Sequence, residues 1–132
     1  MALIGDANSV RTSYLAGSSA KTTTAQYMAG YISAEGTVSV CNTTTAKCIG
    51  IIDSFQSASS ETISVITHGI AKGYANASIA AGAAVTAVDG GKLAAFGGTY
   101  TSIITTPILG RAESAASTNG AITIYVDPLT IS

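Results

Sequence analysis

The sequence predicts an all-β single domain, a β-sandwich or β-barrel with glycine-rich hairpins. Three observations predict it. Ile63, Val65 and Thr67 alternate with Ser64, Ile66 and His68, the period-two signature of a strand. Short runs of this kind are cut by glycine, asparagine and aspartate turns roughly every eight to twelve residues, the spacing of sandwiches and barrels. The apolar 47% of the 132 residues includes no Trp and only two Phe, so it is largely Ala, Val and Ile, small side chains suited to thin sheets.

Residues 1–20 are polar, with Leu3, Ile4, Val10, Tyr14 and Leu15 irregularly spaced, and read as an N-terminal arm or leader ahead of a β domain at 21–132. Residues 26–32 read as a strand interrupted by Gly30, residues 34–36 as a turn, and residues 37–41 as an alternating strand. Residues 48–52 follow as its expected hairpin partner, which would set Cys41 and Cys48 opposite each other. Gly50 inside that strand suggests a bulge or a close backbone approach. Residues 53–61 read as a serine-rich surface loop.

The stretch 62–96 organises the rest. Its first strand ends at His68, Gly69 and Gly73 bracket a second short run, and residues 76–88 read as extended structure with one short helix possible at 79–81. Asp89-Gly90-Gly91-Lys92 is a hairpin turn whose glycines can take positive φ. Residues 99–106 are β-branched and strand-prone, Pro107 marks an edge or a strand start, 108–112 form a short strand, and 121–126 form the plainest strand of the chain. A faint echo links Cys48-Ile-Gly-Ile-Ile-Asp-Ser54 to Ile108-Leu-Gly-Arg-Ala-Glu-Ser114, which predicts two similar hairpin units in one β fold.

Charged residues make up only 10% of the chain and the net charge is −1, where soluble domains average about 25% charged residues. Little electrostatic repulsion keeps copies apart, so such a chain is expected to associate with something. No run approaches the ~20 apolar residues of a membrane-spanning helix, and residues 1–17 lack the basic start and apolar core of a secretory signal. The six basic residues, Arg11, Lys21, Lys47, Lys72, Lys92 and Arg111, are scattered, which argues against nucleic-acid binding.

Catalytic chemistry finds little to use. His68 is the sole histidine and reads as a turn residue, with no G-x-S-x-G elbow in the chain to supply a nucleophile. Asp89-Gly90-Gly91-Lys92 fails as a phosphate loop, because Thr86 stands where Gly is required and Leu93 where Ser or Thr is required. Two cysteines and one histidine are too few for a zinc site, and Cys41 and Cys48 read as buried or semi-buried free thiols. No catalytic, cofactor-binding or metal residue is assigned, and no cofactor is expected.

One resemblance adds to this reading. Ile49-Gly50-Ile51, His68-Gly69-Ile70, Ile79-Ala-Ala-Gly82-Ala-Ala-Val85, Ile108-Leu-Gly110-Arg-Ala112 and the final strand follow one another over residues 41–127 in a rhythm that resembles the small capsid cement or decoration proteins of tailed bacteriophages. The resemblance implies a structural virion protein bound to the outside of the capsid, made in the host cytoplasm, with the major capsid protein as partner and self-association as a homotrimer. It brings no catalytic residues, no nucleic acid and no membrane. Arg11 and Tyr14 are the expected partner contacts if the N-terminal segment grips a neighbour. The competing expectation is a β-sandwich recognition module (adhesin, fibre or carbohydrate-binding), which Tyr14, Tyr74 or Tyr100 gathered on one face would favour. A small hydrolase would need His68 beside a carboxylate in a deep pocket.

Overall fold

A computed structural model describes residues 9–42, 48–54, 61–88, 90–96 and 108–129. The strand expected at 99–106, the greater part of the serine-rich loop and Tyr100 lie outside them. The fold is all-β, as expected. Among the described residues the strands are β1 (Val10–Ala16), β2 (Ala29–Ala34), β3 (Thr37–Val40), β4 (Cys48–Ile52), β5 (Thr62–Tyr74), β6 (Ala84–Ala87), β7 (Leu93–Ala95), β8 (Ile108–Ala112) and β9 (Ala121–Leu129). They form one sheet in the order β1-β3-β2-β4-β5-β9-β8-β6-β7, and β1 also pairs with β5. That extra pairing closes β1, β3, β2, β4 and β5 into a five-stranded barrel.

Three expectations change, and one open alternative is settled. Val10–Ala16, inside the segment expected as an arm or leader, is a strand that pairs antiparallel with β5 and parallel with β3. The stretch from Thr62 to Tyr74 is one strand rather than two runs bracketed by glycines. At Gly69, where φ is +109, it exchanges partners: the residues before it pair with β1 and β4, those after it with β9. Only glycine adopts that backbone at low cost. β3 and β4 are not a hairpin, because β2 lies between them. The short helix allowed at 79–81 is absent: Ile79 is captured in a β-bridge to Ala116, with N–H···O bonds of 2.9 Å in both directions, and Gly82 then turns the chain. The helical turn among the described residues is a 3-10 turn at Ser18–Ala20.

The echo between 48–54 and 108–114 proves to be part of a larger repeat. The first barrel runs through β1, β2, β3, β4 and the first half of β5; the second half of β5 then begins a copy continued by β6, β7, β8 and β9. Leu15 faces Thr62 in the first unit as Tyr74 faces Ala121 in the second. Ile32 pairs with Val38 as Ala87 pairs with Leu93. Ile51 pairs with Ile66 as Arg111 pairs with Tyr125. The second ring closes through a parallel bridge, Ala75 to Leu93, matching the parallel pair Ala16–Val38.

Hydrogen bonds outside the ladders repeat as well. Asp53 N–H donates to the Ser64 carbonyl and Glu113 N–H to the Thr123 carbonyl, both at 2.8 Å. The Ser54 hydroxyl accepts from Ser64 N–H at 3.0 Å, and the Ser114 hydroxyl from Thr123 N–H at 3.1 Å. These serines satisfy strand N–H groups at each hairpin mouth, which would otherwise be left unpaired. Gly50 and Gly110 are equivalent too: a Cβ on either would lie 2.0 Å from a carbonyl oxygen, that of Ile66 or of Tyr125. Register shifts flank both glycines, so the bulge and the close approach expected at Gly50 are both present, twice.

Each ring has its own interior. Ala16, Val38, Ile52, Ile63 and Val65 fill the first. Ala75, Leu93, Ala112, Ile122 and Ile124 occupy the matching places in the second. The two units meet where the outward-facing Ala29, Cys41, Cys48, Ile51 and Ile66 of the first join one buried cluster with Val85, Leu109 and Val126 of the second. The β6–β7 turn closes this joint as a hairpin, with Gly90 and Gly91 both at positive φ, as expected. Ala29 N–H donates to the Gly91 carbonyl at 2.8 Å, and Gly90 N–H donates to the Cys41 carbonyl at 3.0 Å.

Candidate interaction surface

The chemistry-bearing side chains stand on open faces of the two barrels. Arg11 and Tyr14, the expected partner contacts, point to opposite faces of β1. Arg11 turns outward and its Nε donates to Asp53 Oδ2 at 2.7 Å. Tyr14 packs, half-buried, against the interior of the first barrel. Alternation along a strand separates residues three apart in this way.

His68 is not in a turn but inside β5, facing out, where it meets β9. Its Nε2 lies 3.2 Å from the Tyr125 hydroxyl and its Nδ1 3.8 Å from Asp127 Oδ1. Arg111 lies over the Tyr125 ring, 5.7 Å from its centroid, and pairs with Glu113 at 3.0 Å. An open concavity of about 290 Å³ is lined by Ile108, Gly110, Arg111, Tyr125, Asp127 and Pro128. His68 therefore does stand beside a carboxylate, but on a rim where its ring is half exposed. Mixed charge around an aromatic ring suits contact with a polar, shape-matched surface.

A second cluster lies between the barrels. Tyr27 and Tyr74 meet edge to face with centroids 6.1 Å apart, and Lys72 Nζ sits 4.6 Å and 5.4 Å from the two rings. Tyr27 holds φ at +72, in the left-handed region that bulky residues avoid. The repeat shows what is unusual here: Gly82 is its equivalent, with φ +86 and the same backbone bond, Gly82 N–H to the Ala112 carbonyl at 2.8 Å matching Tyr27 N–H to the Ile52 carbonyl at 2.7 Å. Tyr27→Gly relieves the strain, about 1–2 kcal/mol, but removes the edge-to-face pair, the cation contact and the buried ring face. We expect a net loss of about 1–2 kcal/mol, because aromatic and cation–π contacts add to the area lost. Urea unfolding checks it, and a Tyr27→Gly protein more stable than the parent refutes it.

Cys41 and Cys48 are buried free thiols, as expected, although not across a hairpin. The hydrogen bond with the Cys41 thiol, and then burial, push the Cys48 thiol far above its ordinary value. A thiol held protonated is a poor nucleophile. The native protein is therefore expected to ignore a thiol reagent at pH 8 and to react at both cysteines once unfolded. Because the folded value is the raised one, this group's contribution to stability is complete below the ordinary value of 9.0 and declines as pH climbs above it. Melting curves between pH 7 and 10 read the decline, and replacing both cysteines by alanine should flatten it.

Among the described residues no group of three or more His, Cys, Asp or Glu is arranged to hold a metal ion, and no helix is long and apolar enough to cross a membrane. The gathering on one face that would favour a recognition module is not seen for Tyr14 and Tyr74, since Tyr14 faces the first interior and Tyr74 turns outward to Tyr27, and Tyr100 lies outside the described residues. The tyrosines that do come together are Tyr27 and Tyr74; Tyr74 is one of the three named from the sequence, whereas no motif points to Tyr27 as its partner.

Fold and surface together define an all-β double barrel with outward-facing contact chemistry. No family model and no curated protein matches the chain. Among solved structures it is similar in fold to the N base of the head fiber gp8.5 of bacteriophage phi29, at 13% sequence identity and a TM-score of 0.61, over 90% of this chain and 94% of that one.

Proposed function

We propose that this chain is a structural protein of a tailed-bacteriophage virion that sits on the outer surface of the head. There it binds the major capsid protein and stabilises the shell as a homotrimer. The observation that carries the reading is the likeness in fold to a head-fiber base over nearly the whole chain. The cement-like glycine rhythm of residues 41–127 and the low charge support it. The likeness is to a fiber base, so it supports attachment to the head more directly than the stabilising role. The stabilising role rests on physics: a protein that bridges several shell subunits binds only the assembled state, and by mass action makes that state harder to take apart. Arg11 on the outer face of β1 remains the proposed contact from the N-terminal segment, while Tyr14 supports the strand that carries it.

Purified protein mixed with phage heads should sediment with them at a fixed ratio per capsid subunit, and heads carrying it should melt at a higher temperature than bare heads. Binding to immobilised glycans with no binding to heads would replace this reading with the recognition module, for which the Tyr27–Tyr74–Lys72 cluster is the natural platform.

A further inference from the structure

Among the described residues, the joint between the two barrels leaves a matching pair of faces uncovered, one on each barrel. On the first barrel the outward residues Ala29, Cys41, Ile51 and Ile66 are covered by the second barrel. Their equivalents on the second barrel are Ala84, Phe96, Arg111 and Tyr125. Ala29 pairs with Ile51 as Ala84 pairs with Arg111. Cys41 N–H donates to the Ala29 carbonyl as Phe96 N–H donates to the Ala84 carbonyl, both at 2.8 Å. Among the described residues nothing covers this second face to the same degree: Ala84, Phe96 and Tyr125 are half-buried, Arg111 is exposed, and Arg111 and Tyr125 line the concavity.

The complementary half is at the other end. What seats on the first barrel is the second barrel's β6–β7 hairpin, through Gly90 and Gly91. Its equivalent is the β2–β3 hairpin, whose Gly36 at φ +68 matches Gly91 at φ +78. That hairpin is open. Ile32 is 50% exposed, whereas its equivalent Ala87, beside the joint, is 4% exposed. Glu35 at the hairpin tip is exposed, and across the proposed contact the 61% exposed Arg111, which Glu113 holds at 3.0 Å, is the cation it would share with Glu113.

We propose that the face around Arg111 and Tyr125 is a self-association surface. It receives the β2–β3 hairpin of a second copy, so that the joint within the chain is repeated between chains. The contact is head-to-tail, and such contacts close into a ring when the rotation per copy allows it. The proposal names the contact for the homotrimer in the functional reading and rests on that reading for the copy number alone.

Sedimentation velocity on the full chain tests it, across concentrations, for the parent, Arg111→Glu, Glu35→Arg, the double exchange and Tyr125→Ala, with circular dichroism confirming the fold of each. The parent should form a closed oligomer. Each single reversal should weaken association about tenfold or more, as should Tyr125→Ala, and the double exchange should recover most of the loss. A parent that stays monomeric at ~100 μM, or single reversals that leave its mass unchanged, overturns the proposal. Head binding is measured in parallel. An oligomer that assembles through these residues yet ignores heads removes the functional reading and leaves the contact, whereas head binding that survives with association untouched by the reversals does the opposite.

Discussion

Replacing Gly50 or Gly110 by alanine is expected to cost about 3 kcal/mol or more, the upper end of what overpacking does. A Cβ at either position would lie 2.0 Å from a backbone carbonyl oxygen of the neighbouring strand, that of Ile66 or of Tyr125. No rotamer change relieves such a contact, because the obstructing atom belongs to a paired strand. Relief requires β4 to part from β5, or β8 from β9, and the hairpins Cys48–Ile52 to Thr62–Tyr74 and Ile108–Ala112 to Ala121–Leu129 run through both barrels. The thermal midpoint should fall by on the order of 10 °C. Gly36→Ala is the control. It meets open space but keeps φ at +68, so it should cost only the left-handed penalty, about 1 kcal/mol. If Gly50→Ala and Gly110→Ala unfold within 1 kcal/mol of the parent in urea, the close approach is not what those glycines are for.

These two glycines also mark how far the sequence could be read. An internal glycine in a β-branched run announces a bulge, and Gly50 was legible on that ground. The plain alternation of residues 37–41 and 121–126 announced β3 and β9, and Gly90-Gly91 announced the β6–β7 hairpin. The β1 strand was not legible. Its inward set is Thr12, Tyr14 and Ala16, mixed in polarity, and its partner β5 is fifty residues away, so no local pattern records the pairing. The continuity of β5 was hidden by Gly69, which looks like a turn and is instead where one strand passes from the first barrel to the second.

The repeat was nearly invisible for a physical reason. Equivalent interior places hold different volumes: Val38 against Leu93, Ile52 against Ala112, Val65 against Ile124. Each ring balances a small residue at one place with a larger one at another, which packing density permits and sequence comparison penalises. Equivalent outer places hold different polarities, because one outer face is covered and the other is open. What survives is what the backbone demands: Gly50 and Gly110, the serines at the hairpin mouths, and the acids before them. Of the surface chemistry, His68 was visible as a lone residue, but its meeting with Tyr125 and Asp127 depends on the β5–β9 register, which no motif encodes.

The same asymmetry yields the second large effect. Ile66 and Tyr125 occupy one place in the repeat, facing outward from β5 and β9. Ile66 is 2% exposed in the joint, and Ile66→Ala should cost about 2–5 kcal/mol, the lost transfer energy plus the cavity that neighbouring strands cannot close. Tyr125 is half-buried, with its hydroxyl on His68 and its ring under Arg111. Tyr125→Ala should cost the isolated chain less than about 1.5 kcal/mol, since its ring is only partly buried and lies at the rim of an open concavity. Urea unfolding of both variants, at concentrations low enough to keep the parent dissociated, separates the two. Equal losses would mean that the outer face of the second barrel is already spent on stabilising the fold. A gap of 1 kcal/mol or more in the stated direction means that one position does two jobs in one chain: in the first barrel it holds the molecule together, and in the second it is left open for contact.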